Sequence, residues 1–391
     1  MIIFAALALS FFPQIDEQNS QPDKPEIDIS LGCKRCGFMG AKDCKSHSKL
    51  FTAEQEVNYC WVAAQCKKCS GSLLVDCAGC ESGPLFEKRQ SQLKVIEGFA
   101  NSNTEPSVLL DRELPRIITD HFDFCVTAKK MKNGSKSYNT HELMHAMAAD
   151  CEASATLFDK HYQAELADYS NRARIWYWFE NSDHQEVCLE ILGGSGGSNL
   201  RYYGIHPAVS SFSGDEGLKN DALDVIHNAI HVSIHLILSS VHKVAWIGDE
   251  KAGWFDVGAA HWYEEKLFAR VATYCIDEAN EGADYEDGQW RVAMKKHLRK
   301  NKDHILPKLT QLTTHVLEEE QHALAWSLYD YVVANHPLKL KPLLMGYKDG
   351  IESRDLFKEH LEMNIMQVEN AWRAWVADTY PSKDLKPRKK V

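Results

Sequence analysis

The sequence predicts an α+β fold with a helical C-terminal half, preceded by a small metal-binding module. Three observations predict it. Eight of the twelve cysteines fall between residues 33 and 80, with recurring two-residue gaps. From residue 111 onward, short strand-like apolar runs alternate with stretches of helical periodicity. From 286 to 378 the pattern is mostly helical. The bulk composition fits a folded chain: 391 residues, 44% apolar and 25% charged. That excludes a mainly disordered, collagen-like or polytopic membrane protein. The 44 basic residues against 55 acidic ones give a net charge of −11, which argues against a nucleic-acid partner.

Residues 1–12, MIIFAALALSFF, form an apolar run that stops at Pro13. A bilayer span needs ~20 residues, so the run reads as the h-region of a signal peptide. Ala6-Leu7-Ala8 is its small-residue site, although no Lys or Arg precedes it. This predicts a secreted, periplasmic or cell-envelope protein with no membrane span in the mature chain. Residues 13–31, with Pro22 and Pro25, read as a linker.

Residues 32–82 form the cysteine-rich module. Cys33, Cys36, Cys44 and His47 align without a gap on Cys66, Cys69, Cys77 and Cys80, each set reading C-x2-C-x7-C-x2-[C/H]. A two-residue gap lets both side chains of a doublet turn toward one cation, and four such ligands complete a tetrahedral Zn²⁺ site. Eight ligands therefore predict two structural zinc sites with no open position. Disulfides are the other reading, which export would allow, but they need no doublets. Cys60 is unassigned and could replace a ligand. Cys125, Cys151, Cys188 and Cys275 read as buried thiols. The doublets with nearby glycine (Cys69-Ser-Gly-Ser) resemble the cysteine-rich zinc domain of J-domain chaperones. That resemblance implies a structural or protein-contact role.

Residues 83–110 read as a helical linker, helical from Glu87 to Phe99. The main domain spans 111–378. Ile117 to Val126 reads as one strand and 140–169, free of Gly and Pro, as one long helix. Ala173 to Phe179 is a strand, Asp183 to Leu192 a helix, and 221–243 and 254–278 two more. Gly193–Gly197 lacks the strand–turn–helix spacing of a nucleophile elbow or a phosphate loop and reads as a flexible hairpin. Residues 379–391 are a basic tail that reads as a solvated end.

Two segments carry peptidase-like chemistry. The first is His141-Glu142-Leu-Met-His145, a literal HExxH whose histidines share one helix face, with Glu142 placed as a general base. Glu165 follows at a spacing similar to that of thermolysin-like enzymes. A continuous helix, however, would carry it about 30 Å away at 1.5 Å per residue.

The second segment is a helix with His227, His231 and His235 at steps of four. It is followed by Trp254-Phe-Asp-Val257-Gly258-Ala-Ala-His261-Trp-Tyr-Glu264. This order resembles the gluzincin (peptidase-MA-like) domain, in which an HExxH helix precedes a W-x-x-E-G-x-A-x-Y helix. The preceding strands, long helix and glycine-rich stretch follow in the order of its bacterial secreted members, so the resemblance covers about 110–378. It implies a zincin-like metalloprotease fold. Asn228 stands where the resemblance expects the general base, and Val257 where it expects the third zinc ligand. An amide cannot take a proton from zinc-bound water, and His227 and His231 alone would hold zinc weakly. Asp256, His261 or Glu264 could supply a replacement ligand. The expected function is therefore a metallopeptidase-like protein without catalysis, a pseudoenzyme that binds a peptide or protein partner. The alternative is an active zinc metallopeptidase using His141, Glu142 and His145, or the His227/His231 helix with His261.

Overall fold

The computed structural model describes residues 33–47, 57–102, 104–128, 130–214, 221–275 and 285–383. The expected signal peptide, the 13–31 linker and most of the basic tail lie outside the described residues, as does the His47 side chain. The fold is mixed α+β with a helical C-terminal half.

Among the described residues, ten strands form three sheets. β1 (Ala41–Asp43) pairs with β3 (Leu74–Asp76) as an antiparallel ribbon in the cysteine module, while β2 (Tyr59–Cys60), between them in sequence, leaves the ribbon. β4 (Arg116–Ile118), β5 (Phe122–Val126), β8 (Ala173–Trp178), β9 (Asn199–Tyr202) and β10 (Ala208–Phe212) join β2 in a six-stranded sheet, ordered β2-β4-β5-β8-β10-β9. Strands β5, β8 and β10 are parallel, and β9 is an antiparallel edge. β6 (Lys130–Asn133) and β7 (Lys136–Asn139) are a separate hairpin turned at Gly134, whose φ is +57°.

Alternation along the sheet decides what each face meets. Phe122, Phe124, Val126, Ile175, Tyr177 and Val209 enter the main core. Cys125, Trp176, Trp178 and Ala208 enter a smaller cluster with Leu114 and Val187. Helices α1 (Pro84–Ala100), α2 (Thr140–Tyr162), α3 (Asn181–Val187) and α4 (Ala222–Ser240) follow in chain order; α1 packs on the β1–β3 ribbon and α3 adds Val187 to the smaller cluster. Of these, α2 and α4 cover the main face. Helix α4 is long and apolar enough to cross a membrane, but nearly all of it is buried inside the fold. A helix apolar on every side belongs in a core. Behind it lie α5 (Gly253–Phe268), α6 (Trp290–Lys300) and α7 (Glu319–Asn335).

Three expected elements differ. Residues 117–126 are two strands, because Thr119 turns the chain: its hydroxyl accepts from the Phe122 N–H (3.2 Å) and its N–H donates to the Phe122 carbonyl (2.9 Å). The 140–169 helix stops at Tyr162, which stacks on Phe158 and shares a hydrogen bond with the Tyr329 hydroxyl (2.8 Å). Gln163 then takes a left-handed φ of 49°, so Glu165 falls beyond the helix. The 254–278 helix ends at Phe268, where Ala269 is left-handed (φ 55°).

Candidate metal centres

The cysteine module brings its doublets together across the repeats. Cys33, Cys36, Cys77 and Cys80 form one group, with all ligand atoms within 4.8 Å of one another. Cys44, Cys66 and Cys69 form a second. The β1–β3 ribbon causes this crossing. In an antiparallel pair, the residues before one strand neighbour those after the other. Ala41 opposite Asp76 thus places 33–36 beside 77–80, and Asp43 opposite Leu74 places 44 beside 66–69. The Cys77 N–H donates to the Gly40 carbonyl (3.0 Å) and the Cys44 N–H to the Leu73 carbonyl (2.7 Å), closing both ends.

Every cysteine among the described residues is a free thiol. Sγ of Cys33 lies 3.7 Å from that of Cys77, and Sγ of Cys36 lies 3.5 Å from that of Cys80. A disulfide needs about 2.05 Å, whereas two sulfurs on a tetrahedral zinc at 2.3 Å stand about 3.8 Å apart. Backbone N–H of Arg35, then the neighbouring thiols, hold Cys33 down to about 6, while burial pushes Cys69 up to about 12.

The HExxH segment is a helix start. Glu142 accepts from the Asn139 N–H (3.0 Å) and Asn139 Oδ1 from the Glu142 N–H (3.0 Å), a capping box. The carboxylate expected as a base is engaged at the helix end. His141 and His145 lie with Nε2 atoms 3.1 Å apart and form a metal-capable group with Cys60, which enters from β2. Cys60 thus joins neither group of the cysteine module.

The histidine stripe of α4 faces α5 in a buried polar cluster. His227 Nδ1 lies 2.8 Å from Glu264 Oε1, which also accepts from the Ala272 N–H (2.7 Å). That last bond draws the chain back after α5. His235 Nδ1 meets Asp256 Oδ1 (2.8 Å), and Asp256 Oδ2 accepts from Trp246 Nε1 and Thr314 Oγ1. Cys275 Sγ sits 3.0 Å from His231 Nε2 and 3.1 Å from His235 Nε2. His261 Nε2 sits 2.7 Å from His322 Nδ1. Asn228 faces the sheet, where its Oδ1 accepts from the Tyr177 hydroxyl (2.6 Å). Val257 is fully buried.

Burial holds His231 and His261 well below the ordinary imidazole range, and His322 down to about 3, so all three are neutral at pH 7. Burial opposes ionisation of Glu264, but the hydrogen bond with His227 and the nearby His261 ring outweigh it and keep the carboxyl low. Burial also opposes protonation of His235, yet Asp256 and Cys275 lift it to about 9. Two groups here can hold a metal ion: His231, His235 and Cys275, or His231, His261 and Glu264.

Of the residues expected from sequence, His231 and His261 come together, with Glu264, while His227 contacts that carboxylate from its other oxygen. Cys275 and His322 were not legible as site residues, because no spacing links them to the helix they meet. Glu264 carried a signal, standing one turn after His261 on α5. Against known proteins, the chain matches no protein-family profile and no curated protein.

Proposed function

We propose that this protein is a zincin-like metallopeptidase relative without peptidase activity, which binds a peptide or protein partner and carries two structural zinc ions in its cysteine module. The observation that carries this reading is the Tyr177–Asn228 hydrogen bond. The side chain in the general-base position is an amide, it is buried, and it is tied to the sheet rather than turned toward His231. The second HExxH offers no replacement, since Glu142 closes its own helix. The element order also supports a zincin-like fold: strand β5, the long helix α2, strand β8, the glycine-rich stretch and then the histidine helix.

Edge strand β9 supports a peptide partner. Among the described residues no strand pairs with its outer side. An extended peptide can add there through main-chain hydrogen bonds. In the cysteine module, the four thiols of Cys33, Cys36, Cys77 and Cys80 make a closed set that suits a fold-holding zinc rather than a catalytic one.

The test incubates the purified full chain, loaded with Zn²⁺, with a randomised fluorogenic peptide mixture. Intact peptides retained without hydrolysis are the expected result. Hydrolysis that is lost on chelation and in His231→Ala would overturn the reading in favour of an active zinc metallopeptidase.

A further inference from the structure

The polar cluster between α4 and α5 contains four buried side-chain atoms with no hydrogen-bond partner: His231 Nδ1, His261 Nδ1, Glu264 Oε2 and His322 Nε2. Three of these four are the ligand atoms of one group. His231 Nδ1 lies 3.4 Å and His261 Nδ1 3.8 Å from Glu264 Oε2, and all three residues are fully buried. A buried unpartnered polar atom is destabilising, and three that converge on one point share a single remedy.

From this geometry we propose that His231, His261 and Glu264 hold a divalent first-row transition metal ion, with Zn²⁺ as the natural occupant. Ligand atoms at about 2.1 Å from a tetrahedral zinc stand roughly 3.4 Å apart, close to the separations present. The far side of each ligand is tied as metal ligands require. His231 Nε2 meets Cys275, His261 Nε2 meets His322, and Glu264 Oε1 meets His227 and the Ala272 N–H. These contacts leave Nδ1 of both rings and Oε2 of the carboxylate as the atoms that face one another. In the competing group the facing atoms, His231 Nε2, His235 Nε2 and Cys275 Sγ, already partner one another at 3.0, 3.1 and 3.2 Å, so none of them is left unpartnered.

The site departs from the motif: of the pair His227/His231 it uses only His231, His261 stands four residues after position 257, and Glu264 completes the set. Full burial makes the ion a clamp between two core helices rather than a hydrolytic centre. The proposal does not depend on peptide binding, since a chain that binds no peptide can still hold this ion.

The test titrates the metal-free full chain with Co²⁺. Cobalt on the cysteine groups shows thiolate charge-transfer absorption, whereas cobalt on two imidazoles and a carboxylate shows ligand-field bands alone. The expected result is one equivalent without thiolate bands, lost in both Glu264→Gln and His261→Ala and kept in Cys275→Ser. Equal loading of Glu264→Gln and the parent would overturn the proposal. Loss in Cys275→Ser with retention in Glu264→Gln would overturn it in favour of the His235–Cys275 group. Should the variants fail to fold, the parent chain decides alone: cobalt bound only at thiolate-bearing sites sinks the proposal.

Discussion

The Tyr177 hydroxyl donates to Oδ1 of Asn228 over 2.6 Å, joining the middle of strand β8 to the core helix α4. Both residues are buried. Truncating Asn228 to alanine removes the acceptor and leaves a polar group in the core, which costs about 1–3 kcal/mol. Urea denaturation of Asn228→Ala should show a lower midpoint of that order. An unchanged midpoint would mean that the amide contributes no net stability. Asn228→Glu should also fail to produce peptide hydrolysis, since position 257 still lacks a ligand.

The crossed cysteine groups predict which substitutions share a metal. Cys33→Ser and Cys77→Ser should each lose the same equivalent of bound zinc, and the double variant should lose no more than either alone. Cys33→Ser combined with Cys44→Ser should lose both equivalents of the module. Metal analysis after gel filtration reads this directly. Sites built one per repeat would give the reverse, with Cys33 and Cys44 sharing an ion.

His121 predicts a pH dependence away from any metal-capable group. Its Nδ1 lies 2.8 Å from Glu152 and its Nε2 3.1 Å from Asp159, which also accepts from the Tyr169 hydroxyl. Burial opposes protonation, but Asp159 and then Glu152 outweigh it and raise the ring to about 9. A pKa raised on folding gives stability that is complete below the unfolded value near 6.5 and is lost as pH rises toward 9. That contribution is up to ~3 kcal/mol before solvent screening is allowed for. Denaturation midpoints should therefore fall between pH 7 and 9, and His121→Ala should flatten this part of the profile. A slope that persists in the variant would assign it to other groups.

Local spacing made the cysteine ligands legible, while their grouping was not. The doublets are short-range patterns, but the crossing depends on the register of β1 against β3, which pairs residues far apart in the chain. The same division holds in the main domain. His231, His261 and Glu264 stand in readable helical positions, whereas Cys275 and His322 reach them through loops whose course no periodicity records. Helix ends were the least legible. Gln163 and Ala269 stop their helices in left-handed conformations without Gly or Pro, and tertiary bonds at Tyr162 and Glu264 hold those ends in place.

Gly258 was legible as part of a peptidase-like motif, but its surroundings give it a packing role. It lies where α5 meets α7, and a Cβ there would sit 2.6 Å from the Ala325 carbonyl oxygen and 3.0 Å from Tyr329 Cβ. The nearer atom is backbone and cannot swing aside, so an added methyl must push two core helices apart. Gly258→Ala should cost about 1–3 kcal/mol, the usual range for overpacking a filled core. Gly98 in α1 is the control: nothing lies within 4 Å of its would-be Cβ. Gly98→Ala should stabilise by roughly 0.5–1 kcal/mol, since a helix interior favours alanine. The two substitutions add the same atom, so opposite shifts in urea midpoint would isolate the helix contact as the cause. A Gly258→Ala chain as stable as the parent would show slack between α5 and α7. Because α5 also carries His261 and Glu264, such slack would weaken the case for a metal clamp between the core helices.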